Sequence, residues 1–121
     1  KRVNIFLAGL LLISLFMISC GWKPSVTAVP ITKPWSELKL PVEKDAVVWE
    51  STETRLKVAH KDDRKTVADA YKKALEAAGL QMTKFEPTAN TEFFTFEDKN
   101  GTKLELQSYD FENSGIIIEV K

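Results

Sequence analysis

Apolar positions along this chain follow three different rhythms. From Ile5 to Ile18 they form an almost unbroken run: Ile5-Phe6-Leu7-Ala8-Gly9-Leu10-Leu11-Leu12-Ile13-Ser14-Leu15-Phe16-Met17-Ile18. From Gly21 to Asp45 they have no period, and four of the five prolines (Pro24, Pro30, Pro34 and Pro41) interrupt them. Proline fixes φ and removes an amide donor, so this stretch joins neither a helix nor a central strand. From Ala46 onward the pattern becomes regular.

The regular part predicts one helix among short strands. Ala46–Glu50 is a β-favouring run, and Thr54–His60 alternates, with Leu56 and Val58 on one side and Arg55 and Lys57 on the other. Asp62 or Asp63 then offers an N-cap. Val67, Ala70, Tyr71, Ala74, Leu75 and Ala78 fall on one helical stripe. Asp69 precedes Lys73 at the i,i+4 spacing that supports a helix. Gly79 supplies a C′ residue able to take φ > 0, and Leu80 can fold back on Leu75 in a Schellman cap. Strands follow at Gln81–Glu86, Thr91–Glu97, Lys103–Phe111 and Ile116–Val120. Their turns are marked by Pro87, Asn100-Gly101 and Asn113-Ser114-Gly115. The order β-β-α-β-β-β-β with hairpin links predicts an α+β fold: an antiparallel sheet of five or six strands with one helix on one face.

Composition narrows the function classes. The 121 residues carry 17 Lys+Arg and 17 Asp+Glu, a formal net charge of zero, which speaks against a nucleic-acid binder. One cysteine, Cys20, excludes an internal disulfide framework, and one histidine, His60, excludes a His-rich site. The folding unit expected at 46–121 buries only about 60% of its unfolded surface. That leaves little room for the roughly 300 Å³ that small-molecule sites usually enclose.

The N-terminal run reads as an address. Lys1 and Arg2 are the only charges in the first 22 residues. The apolar stretch makes a helix about 21 Å long, against a hydrocarbon core of about 30 Å. A basic start, a short apolar run and small residues at its end describe a secretory signal. Met17-Ile18-Ser19-Cys20 resembles the lipobox of bacterial lipoproteins, with Met17 in place of the more usual Leu. The resemblance implies cleavage after Ser19, diacylglycerol on the Cys20 sulfur and acylation, as with palmitate, of the new amino terminus. Each buried CH₂ contributes about 0.8 kcal/mol, so the chains together anchor the protein firmly. Loss of Lys1 and Arg2 leaves 15 basic against 17 acidic residues, net −2, and no polybasic attraction to anionic lipid. Gly21, where an Asp marks inner-membrane retention in enterobacterial lipoproteins, resembles the outer-membrane class facing the periplasm.

The expected organisation is a signal peptide at 1–19, a lipidated Cys20 with a Pro-rich tether at 20–45, and a globular domain at 46–121. Fully extended, the tether reaches roughly 80–90 Å. Trp22 suits the membrane interface. Trp35 packs with Leu38 and Leu40 on the domain edge, or covers a sheet face.

Chemistry-bearing motifs are sparse. The sequence contains no P-loop, GxGxxG, HExxH, nucleophile elbow or EF-hand loop, and neither a cofactor nor a metal is expected. His60 is either a base or pH sensor, or a strand-end residue bonded to a loop carbonyl. Asp62 and Asp63 serve a helix start, and Asp110 and Glu112 share parity without a third ligand. Alternation predicts one constellation. With Phe94, Phe96, Leu104, Leu106, Ile116, Ile118 and Val120 facing the helix, Phe93, Tyr109, Phe111 and Ile117 face away and form an apolar partner patch. A β-bulge near Ser108 reverses that parity and buries Tyr109 and Phe111 instead.

Tyr71, Leu75, Gly79 and Leu80 lie in a strand pair–helix–meander arrangement. This is similar to small bacterial envelope lipoproteins of unassigned function, a resemblance that covers residues 46–121 and carries no catalytic residues. The expectation is a membrane-anchored, non-catalytic binding module for a protein or other envelope component. The alternative is a small-ligand carrier or an enzyme using His60.

Overall fold

The computed structural model describes residues 24–42, 46–111 and 113–121. The expected lipobox at Met17-Ile18-Ser19-Cys20, with Gly21, Trp22 and Glu112, lies outside the described residues. The architecture is α+β: a six-stranded antiparallel sheet with one helix. The strands are β1 (Ala46–Ser51), β2 (Arg55–His60), β3 (Gln81–Pro87), β4 (Thr91–Glu97), β5 (Lys103–Tyr109) and β6 (Ser114–Val120), with α1 at Arg64–Ala77. A 3-10 turn at Trp35–Glu37 precedes them. Across the sheet the order is β1-β2-β6-β5-β4-β3. The last strand therefore sits in the middle and joins the β1–β2 ribbon to the β3–β4–β5 meander.

Local chemistry sets the helix ends. Asp63 is the N-cap: its Oδ2 accepts the Thr66 amide at 3.1 Å, and its Oδ1 accepts the Thr66 hydroxyl at 2.8 Å. These bonds hold the Asp63 carboxyl below the usual carboxylate range. At the other end Gly79 adopts φ +96°. The Leu80 amide donates to Leu75 O at 3.1 Å and the Gly79 amide to Glu76 O at 3.0 Å, the two bonds of a Schellman motif. The buried stripe is Val67, Ala68, Tyr71 and Leu75. Ala70 and Ala74 flank it half-buried, and Ala78, the C-cap, is exposed. The ion pair on the outer side joins Lys72 to Asp69 at 3.2 Å, an i,i+3 pair in place of the expected i,i+4 pair.

Alternation sorts the strands between two faces. Leu56, Val58, Phe94, Phe96, Leu104, Leu106, Ile116 and Ile118 are buried beneath α1. The β4–β5 and β5–β6 registers run unbroken through Ser108, so no bulge reverses parity there. Bulges occur instead in the outer strands, between Val48 and Glu50 and between Met82 and Lys84. Between β4 and β5, Gly101 takes φ +85° and Asp98 Oδ1 accepts the Asn100 and Thr102 amides at 2.8 and 2.9 Å.

The folded unit reaches further toward the N-terminus than its expected start at Ala46. Trp35 is 1% exposed and belongs to the core, with Ile31, Leu38, Leu40 and Val42 packed against it. Its indole Nε1 donates to Thr52 O at 2.6 Å. The Val29 amide donates to Val48 O at 2.8 Å, and the Thr32 amide to Ser51 Oγ at 2.9 Å. Irregular backbone is no obstacle here, because fixed bonds and the joint burial of Trp35, Ile31, Leu38, Leu40 and Val42 together offset the cost of ordering the strap. Trp35 thus fills the helix-side core and, among the described residues, is no cover for the opposite sheet face.

Trp35→Ala removes this plug together with its hydrogen bond. Chemical denaturation should show a loss of about 3–5 kcal/mol. A loss below about 1 kcal/mol would mean that the strap is not part of the folding unit.

Candidate functional site

Among the described residues, chemistry-bearing side chains come together at the end of β2 beside α1 and on the sheet face opposite α1.

At the first, His60 ends β2 and is 8% exposed. Its partner is not a loop carbonyl but Tyr71, with His60 Nε2 and Tyr71 Oη 2.7 Å apart and the rings edge-to-face at 5.3 Å. Burial lowers the His60 pKa from 6.5 to about 4, because the imidazolium loses its water, while Asp62 opposes the shift. Burial also pushes the Tyr71 phenol up. The loop after His60 is pinned from β6: Ser114 Oγ donates to Asp62 O at 2.8 Å, and Asn113 Nδ2 to Lys61 O at 2.7 Å. A cleft of about 120 Å³ opens here, lined by Pro41, Ala46, His60, Lys61, Asp62, Thr66, Val67 and Ala70. It is well under the size of ordinary small-molecule sites. Asp110 is exposed and lies 3.8 Å from Arg64 Nη1. Among the described residues, no three His, Cys, Asp or Glu side chains form a metal-ligand group.

The opposite face carries the predicted constellation. Phe93, Tyr109, Phe111 and Ile117 are all half-buried on the side away from α1. The structure divides them. Tyr109 and Phe111 are in ring contact, with centroids 6.0 Å apart, and Phe111 stacks on Trp49 at 5.7 Å and 23°. Phe93 and Ile117 flank this cluster, each paired in register with Gln107. Tyr109 lies flat over Gly115, where a Cβ would stand 2.5 Å from the ring. The glycine is therefore a seat for the ring, and burial there raises the Tyr109 phenol pKa.

Trp49 is the member that alternation alone did not mark. It is the extra residue of the β1 bulge, between the Val48–Val58 and Glu50–Lys57 pairs. Its parity with Val47, opposite to Val48, was the available signal. Lys57 Nζ sits 4.8 Å above its ring and 3.4 Å from Glu50 Oε1. The indole Nε1 is buried without a hydrogen-bond partner.

Beyond the aromatics the same face is charged, and its charges are paired. Arg55 Nε donates to Glu119 Oε2 at 2.7 Å, and Lys121 Nζ lies 3.4 Å from Glu105 Oε1. The Arg55 hydrogen bond, with help from Lys121, holds the Glu119 carboxyl below its usual range. The face thus combines an aromatic end with an electrostatically balanced end.

Two predictions follow from these environments. The folded chain holds the His60 proton less tightly than the unfolded chain, so the contribution of neutral His60 is complete above about pH 6.5 and is lost as pH falls toward about 4. The stability difference between wild type and His60→Gln should shrink by about 3 kcal/mol across that window; a pH-independent difference would show that the imidazole is not desolvated. Gly115→Ala should destabilise by about 1–3 kcal/mol by unseating Tyr109. The loss should largely vanish in a Tyr109→Ala background, and equal losses in both backgrounds would place the strain elsewhere. In comparisons with known proteins the chain matches no family model, no curated protein and no solved structure at a significant level.

Proposed function

We propose that this chain is a lipid-anchored protein of the bacterial envelope, a non-catalytic module that offers its open sheet face to a protein or other envelope component near the membrane. The observation that carries the reading is the Trp49–Phe111–Tyr109 cluster, flanked by Phe93 and Ile117, on the sheet face away from α1. The Met17-Ile18-Ser19-Cys20 lipobox supports the anchor, and Gly21 favours the outer membrane, facing the periplasm. Attachment through Cys20 also sets a distance. Val29, which is already bonded to β1, lies nine residue steps after Cys20. Fully extended they reach only about 30 Å, so the binding face works close to the lipid.

The rival reading, a ligand carrier or an enzyme built on His60, has less support. His60 is engaged with Tyr71, and the cleft beside it is small.

The test is an in-cell crosslinking pull-down from the native host. It compares the wild-type chain, Cys20→Ser and Phe93→Ser/Phe111→Ser, with folding checked by circular dichroism. An envelope component recovered with wild type should fall about tenfold or more with the double variant, the loss typical of truncating central interface aromatics. Mass analysis should find diacylglycerol on the Cys20 peptide. Undiminished recovery with the folded double variant would remove the open face as the site, and an unmodified Cys20 would remove the anchor.

A further inference from the structure

Among the described residues, Met82 and Phe85 are the most exposed large apolar side chains, at 44% and 46%. Both lie on β3, every residue of which is exposed. The two edges of the sheet are finished differently. β1 is covered by the strap, through the Val29–Val48 and Thr32–Ser51 bonds. β3 pairs with β4 on one side and, among the described residues, with no strand on the other. An unpaired edge is a template for a further strand.

The phase of that edge follows from the β3–β4 turn. The Thr88 amide donates to Thr91 O at 2.7 Å, so Thr88 directs its backbone toward β4. Antiparallel ladders alternate between inward and outward groups. Glu86 and Lys84, in register with Phe93 and Thr95, therefore also face β4, and Pro87 and Phe85 face out. Pro87 has no amide to give. Thr83 is the extra residue of the Met82–Lys84 bulge, where the ladder is locally disrupted. Between the bulge and the proline, Phe85 is thus the position with both an outward amide and an outward carbonyl. Its ring is held by stacking on Phe94 at 5.0 Å.

We propose that β3 pairs with β3 of a second copy of this chain, antiparallel about a two-fold axis through Phe85. The two Phe85 residues exchange amide-to-carbonyl hydrogen bonds. Lys84 then stands opposite Glu86 of the second copy, and Glu86 opposite Lys84 of the second copy. Within one chain Lys84 Nζ lies 3.3 Å from Glu86 Oε1, and both side chains are 62% exposed, so the pair can extend into a four-charge cluster across the two copies. The charges select the register. Sliding the copies by one ladder step in one direction sets Lys84 against Lys84, and in the other Glu86 against Glu86, and directly opposed like charges are destabilising. The contact uses the same edge on both copies, and β1 is covered. The pairing therefore closes at two and does not propagate.

The experiment co-expresses two differently tagged full-length copies, captures one from a mild detergent extract and measures recovery of the other. Wild type should recover wild type. Lys84→Glu with itself, and Glu86→Lys with itself, should each lose about tenfold, because both cross-strand pairs become repulsive. Lys84→Glu mixed with Glu86→Lys should return to the wild-type level, since each altered charge again meets its opposite. Both positions are exposed, and matching circular dichroism spectra would show that folding is intact. Absence of wild-type co-recovery would overturn the proposal. So would equal recovery of all four pairs, or a mixed pair no better than its parents. A partner of different sequence on this edge cannot produce the mixed rescue.

Discussion

A sheet of six strands has far more surface to cover than one short helix supplies. Fourteen residues make α1 about 21 Å long and about 10 Å wide, whereas six strands spread about 24 Å from edge to edge. α1 lies over β6, β5 and β3. Under the β1–β2 end the space is filled from the strap, by Trp35 with Leu38 and Leu40 against it. Among the described residues nothing equivalent covers Met82 and Phe85 of β3, which remain open. On the far face the aromatic residues lie against one another and the charges pair among themselves, which limits the apolar area left to water.

What was legible in the sequence was local. Strand alternation sorted Phe93 from Phe94, Tyr109 from Ser108 and Ile117 from Ile116, because a period of two needs no knowledge of the partner strand. The helix ends were readable in the same local way, with the N-cap narrowed to Asp62 or Asp63, of which Asp63 serves, and the C-terminal stop at Gly79. Trp35 was not legible as a core residue. Its segment is aperiodic, and its seat is built from elements that follow it in the chain. The strand order was also hidden, since nothing near Leu56 indicates that it faces Ile118.

The candidate site divides along the same line. Phe93, Tyr109, Phe111 and Ile117 could be placed on one face by parity, but their grouping depended on features without a local signature. Trp49 shares the face by parity with Val47 but reaches Phe111 from a different strand, and Gly115 lets Tyr109 lie flat. For His60, strand parity pointed to the helix side, yet its partner Tyr71 lies across a loop and on a different element. Side chains that meet through tertiary packing leave only residue types in the sequence, not contacts.

The central position of β6 governs when the protein can become whole. β2 and β5 touch β6 and not each other. The ribbon at Ala46–His60 and the meander at Gln81–Tyr109 therefore stay separate until Ser114–Val120 arrives to be inserted between them. Closing the β2–β6 loop is the late, non-local step that slows folding of such topologies. In a chain made from its N-terminus, this layout completes the sheet only once nearly all of the domain has been delivered.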